Sequence, residues 1–434
     1  MRNSLLINII EANRGGERKG IYAVESRNST VQEAYLRQAL VDGSPALFEI
    51  CASMLDSHGQ SGKMLPDDFI ANVKQIAVKT SFPRDRLFFG VNDLSPSLWQ
   101  DESIESALKK TSAFISDLVS LGINKLGIHA GIPLKGDPAD QLLSQEIITA
   151  REAALYQAAE GAADALPDEE KPLYVIDVNP GQGMTEDQTN IIHREDVENA
   201  VDRFSKTAAA AGLPEMKKRL LATRIFLGAG YDNEKVIQFG SSLLKELGGC
   251  VYGDKPVVLE VTGIDFQPQT VLDQLVDNHF AFLSVGTELT YTMREVLFSM
   301  AMMENETMIG KPGVYLSNFI IELDRAMQSD PRHWQEFYTG NGFEQLVARK
   351  YSLYDRSRFY WEDKEVCETK KRLFDNLIEY PVPLNVMRQF MPHQYERVAA
   401  GELENKPDAL VMDAVMHVLR RYSHACGWME NIRD

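Results

Sequence analysis

Polar side chains with acid, base or metal-ligand chemistry occur where the apolar runs of this sequence end. The clearest run, from Leu87 to Trp99, is apolar until Asn92 and Asp93 and then breaks at Pro96. A strand buried on both faces has this pattern, because polar residues are tolerated only where the strand emerges. Seven further runs end in the same way. Besides Asn92 and Asp93, the polar residues at or just beyond these ends are Glu25, Glu49, His129, Asp177, Asn179, Glu260, Thr262, Asp265 and Glu288.

Some of these residues are of types that hold a divalent metal ion. Because imidazole and carboxylate groups bind Zn²⁺ and Mn²⁺, we predict a metal site formed by Asp93, His129 and Glu260. The alternative is that Asn92, Asp93 and His129 only satisfy one another's hydrogen bonds. General acid/base chemistry needs a carboxyl or imidazole group within reach of the substrate proton. Glu260 and Asp265, which sit beyond a buried strand, are the candidate catalytic residues. Their structural alternatives are an ion pair for Glu260 and a helix cap for Asp265.

The eight apolar runs alternate with segments long enough to form helices. This order predicts an α/β fold, a (β/α)8 TIM barrel with its site at the C-terminal strand ends. A doubly wound open sheet is the alternative. Because one barrel needs ~250 residues, the 434 residues predict a barrel over 1–310 and a helical C-terminal extension over 311–434 that packs on the barrel. The predicted strands are Ile21–Glu25, Ala46–Cys51, the run from Leu87, Lys125–His129, Leu173–Asn179, Arg224–Gly230, Pro256–Gly263 and Ala281–Gly286.

Helices are predicted at the N-terminus and between the strands. Residues 1–18 should form a helix under the barrel, and the sixth helix of the alternation is predicted over 232–248. The polar loop from Ser53 to Lys63 belongs on the site side, where it is either a cover for a substrate or plain surface.

Charge and cysteine usage exclude several classes of partner. The formal net charge is −18, whereas nucleic acids and anionic membranes need clustered Lys and Arg. The four cysteines lie far apart without CxxC spacing, which predicts reduced thiols and a cytoplasmic location. No apolar stretch approaches the length of a membrane span. We therefore expect neither a nucleic acid nor a membrane partner.

Several motifs together resemble the Z-subunit family of tagatose-bisphosphate aldolases (GatZ/KbaZ). They occur in the family's order over nearly the whole chain, and this ordered set is more specific than any one motif. The matching residues are Asp93-Leu94-Ser95-Pro96 with Trp99-Gln100, Gly136-Asp137-Pro138, His279 to Leu283, Leu289-Thr290 with Met293-Arg294-Glu295, Tyr351-Ser352-Leu353 with Asp355-Arg356, Arg358 to Trp361, and Pro392 with Gln394, Glu396, Arg397 and Gly401-Glu402-Leu403.

The resemblance implies a class II aldolase-like barrel in carbohydrate catabolism, in which the Z subunit supports a partner aldolase subunit. Our first hypothesis is therefore an accessory, non-catalytic subunit, or a diverged relative that binds a sugar or sugar phosphate. The alternative is a stand-alone, metal-dependent ketose or ketose-phosphate aldolase or 4-epimerase with a rebuilt active site. The family also implies a divalent metal (Zn or Mn) for an active member, and a homo-oligomer.

The chain departs from the family where the chemistry is expected. The family's Gly-Asp-His-Leu-Gly-Pro is here Val91 to Pro96, so that its Asp is Asn92 and its His is Asp93. The Asp that follows the fourth strand is His129, and a Lys of the last strand is Ser284. The residues retained from the family are Glu49, Glu260, Asp265, Gln267 and Arg294.

Substrate binding is predicted from both the retained and the substituted residues. A phosphate group would need basic donors, and Arg356 and Arg358 are candidates, although an ion pair with Asp355 is the structural alternative. Glu288 lies where barrels often bind phosphate and would repel it, which favours either a non-phosphorylated ligand or a phosphate held elsewhere. The predicted substrate-binding residues are Glu49, Asn92, Asp93, Gln267, Arg294, Arg356 and Arg358.

Overall fold

A computed structural model describes residues 2–55, 64–138, 143–178, 192–228, 230–252 and 257–430. Most of the predicted covering loop and Asn179 lie outside these residues. None of the helices in the described ranges is long and apolar enough to cross a membrane.

Eight parallel strands close into a barrel in which each strand pairs with the next and the last pairs with the first. The closed sheet confirms the predicted TIM barrel and excludes the doubly wound alternative. The strands are β1 (Ile21–Val24), β2 (Ala46–Cys51), β3 (Leu87–Leu94), β4 (Lys125–Ile128), β5 (Leu173–Asp177), β6 (Leu220–Phe226), β7 (Val258–Thr262) and β8 (Phe280–Val285).

The α-helices lie between the strands and over the C-terminal third of the chain. They are α1 (Arg2–Arg14), α2 (Ser29–Asp42), α3 (Pro66–Thr80), α4 (Ile104–Ser120), α5 (Gln145–Ala163), α6 (Arg194–Ala210), α7 (Ser241–Gly248), α8 (Gln269–Asp277), α9 (Thr287–Met308), α10 (Phe319–Ser329), α11 (Gly342–Tyr351), α12 (Lys364–Glu379), α13 (Leu384–Phe390), α14 (Pro392–Ala399) and α15 (Pro407–Ala425).

Two predicted elements are displaced. The sixth strand spans Leu220–Phe226 instead of Arg224–Gly230, which places Arg224 inside the strand. The helix predicted from Asp232 begins only at Ser241. Asp232 instead accepts hydrogen bonds from the backbone N–H groups of Glu234 and Lys235, and this local turn replaces the start of a helix.

An apolar cluster fills the N-terminal end of the barrel. Leu6 and Ile9 of α1 belong to it, together with Ile21, Leu173 and Val258, the first residues of β1, β5 and β7. The helix predicted under the barrel is thus present as α1. Since this end is closed by apolar side chains, the polar residues of the interior are confined to the layers nearer the C-terminal strand ends.

The chain divides into two compact units. The first comprises residues 1–230, 238–285 and 421–434, and it contains all eight strands. The second comprises residues 231–237 and 286–420, and its named elements are helices. This grouping assigns α9 to the second unit and the last fourteen residues to the first. The division predicted at residue 310 remains a prediction.

Gly90 leaves space for charged groups inside the barrel. It lies in β3 between Glu49 of β2 and Lys125 of β4. A Cβ atom at Gly90 would lie 3.2 Å from Glu49 Oε1 and 3.4 Å from the Lys125 Cβ. Any larger side chain at this position must therefore displace both of these groups.

The substitution Gly90→Val should lower the free energy of unfolding by about 1–3 kcal/mol, because overpacking strains a filled interior. Urea denaturation measures this change. Gly161→Ala is the control, since a Cβ at that position of α5 meets no atom within 4 Å, and it should be neutral or stabilising by up to about 1 kcal/mol. Equal stability of the Gly90 variant and wild type would contradict the steric argument.

Candidate active site

The strand register brings four charged side chains together inside the barrel. Glu49 of β2 and Lys125 of β4 flank Gly90, and Arg224 of β6 lies opposite Glu260 of β7. The four residues are between 0% and 8% exposed. Because buried charges are costly unless they are paired, their partners determine the arrangement of the site.

Lys125 holds two carboxylates at once. Its Nζ is paired with the Glu49 carboxylate and lies 2.6 Å from Glu260 Oε2. Glu49 also accepts hydrogen bonds from Ser284 Oγ at 3.1 Å and from Asn92 Nδ2 at 3.4 Å. The ammonium group thus neutralises one of two buried negative charges, and the hydroxyl and amide groups stabilise Glu49.

Glu260 is the less satisfied of the two carboxylates. Neither of its oxygens makes a well-directed hydrogen bond with the described residues, despite the short distance to Lys125. Burial raises its pKa above the ordinary value and Glu49 adds to this effect, whereas Lys125 opposes it. A carboxyl group of this kind can carry a proton or release it, which suits a general acid or base.

A second cluster lies at the ends of three strands. The ligand atoms of Asp93, His129 and Asp177 all lie within 4.8 Å of one another. His129 is 7% exposed, and its Nδ1 has no hydrogen-bond partner among the described residues. Asp93 has a left-handed backbone with φ 58°, at a point where the register between β3 and β4 shifts. This bulge re-aims the Asp93 side chain.

Neighbouring groups hold the two carboxylates of this cluster. Arg224 donates from Nε to Asp177 Oδ1 at 2.7 Å, and from Nη2 to Asp177 Oδ2 and to Asp93 Oδ1, both at 3.0 Å. Cys51 Sγ donates to Asp93 Oδ2 at 3.1 Å. Burial by itself would raise the pKa of Asp177, but Arg224 outweighs it and holds the pKa below its ordinary value. Asp177 is therefore charged at neutral pH.

The cluster has the donor set of a divalent metal site. It offers two carboxylates and one imidazole, and the unpartnered imidazole nitrogen is the kind of atom that a cation would use. Hydrogen-bonded outer groups such as Arg224 and Cys51 orient ligands in metal sites. Asp93 and His129 are therefore brought together as predicted, but Asp177 completes the cluster in place of Glu260, which lies against Lys125 instead.

Sequence comparisons agree with this architecture. A family model, described as D-tagatose-1,6-bisphosphate aldolase subunit GatZ/KbaZ-like, matches residues 6–427. The chain belongs to the GatZ/KbaZ-like family. Proteins named D-tagatose-1,6-bisphosphate aldolase subunit GatZ from Salmonella dublin and Klebsiella pneumoniae are each 31% identical to it, over 96% of this chain and 98% of their own.

A solved structure also resembles this GatZ/KbaZ-like chain over nearly its whole length. It is described as a probable tagatose 6 phosphate kinase from Sinorhizobium meliloti 1021. The two align with a TM-score of 0.84 and 26% identity, over 94% of this chain and all of the other.

Other predicted residues of this family member surround the interior. Glu25, at the end of β1, has its pKa raised to about 8 by burial and by the negative charges of Glu49, Asp93 and Asp265. Asp265 is 5% exposed, and its charge acts on Glu25. Gln267 is buried and donates to the backbone carbonyl of Gly230 at 2.9 Å.

The three predicted arginines belong to the second unit, where each has a protein partner. Arg294 is buried with its Nε 3.4 Å from Asp355 Oδ1. Arg356 donates to the His333 carbonyl at 2.5 Å, and its guanidinium lies over two aromatic rings. Arg358 donates to Thr287 Oγ1 at 3.1 Å. Their role in substrate binding stays a prediction, and Arg356 has the contacts of a packing residue.

Lys125 and Arg224 are the site residues that sequence reasoning did not select. Each is a basic residue within an otherwise apolar strand, and this placement was the available signal. A buried charge in a strand needs a partner across the barrel interior. The partner cannot be identified without the register.

Replacing Lys125 with Met should lower the free energy of unfolding by about 3–5 kcal/mol at pH 7, because Glu49 and Glu260 would remain buried without a cation. The double variant Lys125→Met/Glu260→Gln should recover part of this loss. Urea denaturation of the two variants and wild type measures both effects. Lys79→Met removes an exposed ion pair with Glu33 and should cost at most about 1 kcal/mol. A Lys125 variant no less stable than this control would disprove the network.

Glu25 should make stability depend on pH. Its pKa is about 8 in the folded chain against an ordinary value of 4.5. Between these two pH values the folded state retains a proton that the unfolded state has released, so this contribution to stability falls as pH rises. The variant Glu25→Gln lacks the effect. Unfolding measured at several pH values should therefore show the variant gaining stability relative to wild type across this window, and a constant difference would refute the assignment.

Proposed function

We propose that this chain is an aldolase-type barrel that acts on a ketose or ketose phosphate with a divalent ion, Zn²⁺ or Mn²⁺, held by Asp93, His129 and Asp177. The supporting observation is the Asp-His-Asp cluster with its unpartnered, buried imidazole nitrogen. When bound, such an ion polarises a carbonyl group and stabilises the negative charge of an enediolate. The reaction is reversible carbon–carbon cleavage, and rebonding on the opposite face would give a 4-epimer.

The chain's own residues move the protons in this proposal. In the cleavage direction, Glu260 takes the proton of the substrate hydroxyl at the bond to be broken, and the bonding electrons pass toward the carbonyl group. In the reverse direction, Glu260 returns that proton. Burial and the partial pairing with Lys125 keep Glu260 close to balance between its two protonation states. Asp265 and the protonated Glu25 are the other carboxyl groups in this electrostatic environment.

A specific observation also favours the accessory role. The relatives that match over their whole length are named as subunits of tagatose-bisphosphate aldolase, and this chain replaces several of the family's polar site residues. In this second candidate function the barrel binds a sugar or sugar phosphate and supports a separate aldolase subunit in the cytoplasm. The two functions differ in whether the isolated chain catalyses turnover.

Metal analysis of the purified chain after incubation with Zn²⁺ or Mn²⁺ tests the enzyme proposal. We expect one equivalent of ion in wild type, and its loss in Asp93→Asn, His129→Asn and Asp177→Asn. Glu260→Gln should retain the ion, because Glu260 lies with Lys125. Its turnover of six-carbon ketoses, with and without phosphate groups, should fall by at least ~10²-fold, the usual effect of losing a general acid or base.

Two results would contradict parts of the proposal. Full activity of Glu260→Gln would remove Glu260 from the mechanism and leave the enzyme proposal without its general acid or base. A wild-type chain without bound ion and without turnover, but with a stable complex with an aldolase subunit, would establish the accessory role.

A further inference from the structure

Arg224 holds the same carboxylates that the proposed metal ion would use. Its guanidinium binds both oxygens of Asp177 and one oxygen of Asp93. Lys125, a second buried cation of the barrel strands, is engaged with Glu49 and Glu260 instead. Glu49 and Glu260 are thus paired with one internal cation, and the cluster that could hold a metal ion is already paired with another.

The structure also provides space for Arg224 in this position. A Cβ atom on Gly127 of β4 would lie 3.3 Å from Arg224 Nη2 and equally far from Asn92 Oδ1. Arg224 is 8% exposed, and its two bonds to Asp177 have fork geometry. A buried, bidentate guanidinium is held far more firmly than a surface arginine, because breaking the pair leaves an uncompensated charge.

We propose that Arg224 is an internal cation that competes with a divalent ion for Asp93 and Asp177, and thereby sets the affinity of the site. The inference rests on the proposed function for the nature of the competing ion. It assigns Arg224 a positioning and affinity-setting role that family membership does not supply.

Arg224 has two opposing effects on the affinity of the cluster for a divalent ion. It orients both carboxylates, and the loss of such an outer partner typically weakens metal binding by ~10–100-fold. It also places a positive charge on the same two groups, and at an effective dielectric constant of about 20 the repulsion of a divalent ion at such short range exceeds that gain. Removing the charge should therefore strengthen metal binding overall.

Lone pairs allow the two cations to share the carboxylates. Each carboxylate oxygen has two acceptor positions, and Arg224 uses one at each of three oxygens. The ion and Arg224 can therefore bind at the same time. The competition is consequently electrostatic and lowers the affinity without abolishing it.

Calorimetric titration of the full-length, EDTA-treated chain with ZnCl₂ and with MnCl₂ tests the inference. The neutral variants Arg224→Met and Arg224→Gln should bind each ion with a Kd at least ~10-fold lower than wild type. Arg224→Lys retains the positive charge and should therefore bind each ion more weakly than both neutral variants. Circular dichroism shows whether each variant folds. If Arg224→Met does not fold, Arg224→Gln still tests the inference, because glutamine keeps a hydrogen-bond donor for Asp177.

Arg219→Met is the matched control. Arg219 directly precedes β6 and pairs with Glu160, so this variant removes a guanidinium–carboxylate pair at the other end of the same strand. Its Kd for both ions should equal that of wild type. The rise in Tm on adding each ion is an independent readout, because ligand-linked stabilisation grows as Kd falls.

The outcomes separate this inference from the proposed function. If wild type binds no ion and the neutral variants do, Arg224 is the competing cation and the metal-dependent function of the native chain fails. If wild type binds an ion and folded neutral variants bind it no more tightly, the competition is wrong and the proposed function stands. If neither wild type nor the variants bind an ion, both the inference about Arg224 and the metal-dependent function are wrong.

Discussion

Pairing of buried charges is the constraint on which this barrel depends. Its interior carries the buried carboxylates of Glu49 and Glu260 and the partly buried carboxylate of Asp177. An isolated buried carboxylate would be neutralised or would destabilise the fold. Lys125 and Arg224 supply the two compensating charges. Gly90 and Gly127 have no side chain, which leaves space for these two cations and their partners. The apolar cluster at the N-terminal end keeps this polar layer near the strand ends.

The barrel could be predicted because its strands are buried on both faces and therefore read as apolar runs. The prediction fails at β6, where Thr223 and Arg224 interrupt the apolar run, so that the sequence pattern places the start of the strand only at Arg224. It fails again after β6, where a hydrogen-bonded turn at Asp232 replaces helix. Both errors have a common origin, since a polar side chain with a specific partner overrides the local pattern.

The candidate site was predictable in part. Asp93 and His129 follow from strand ends alone, because any parallel barrel gathers those residues at one face. The choice between Glu260 and Asp177 as the third member depends on the register of β5, β6 and β7. It also depends on the bulge at Asp93, and a single sequence carries no signal for these. The partners of Lys125 likewise depend on the register, since they come from β2 and β7.

The left-handed backbone at Asp93 restricts what evolution can place there. Among residues with a side chain, Asp, Asn and His adopt this conformation most readily. Two of these, Asp and His, are common ligands of metal ions. The resemblance described above places His in the family's motif where this chain has Asp93. The conformation that this backbone requires therefore favours residue types that can also donate to a cation.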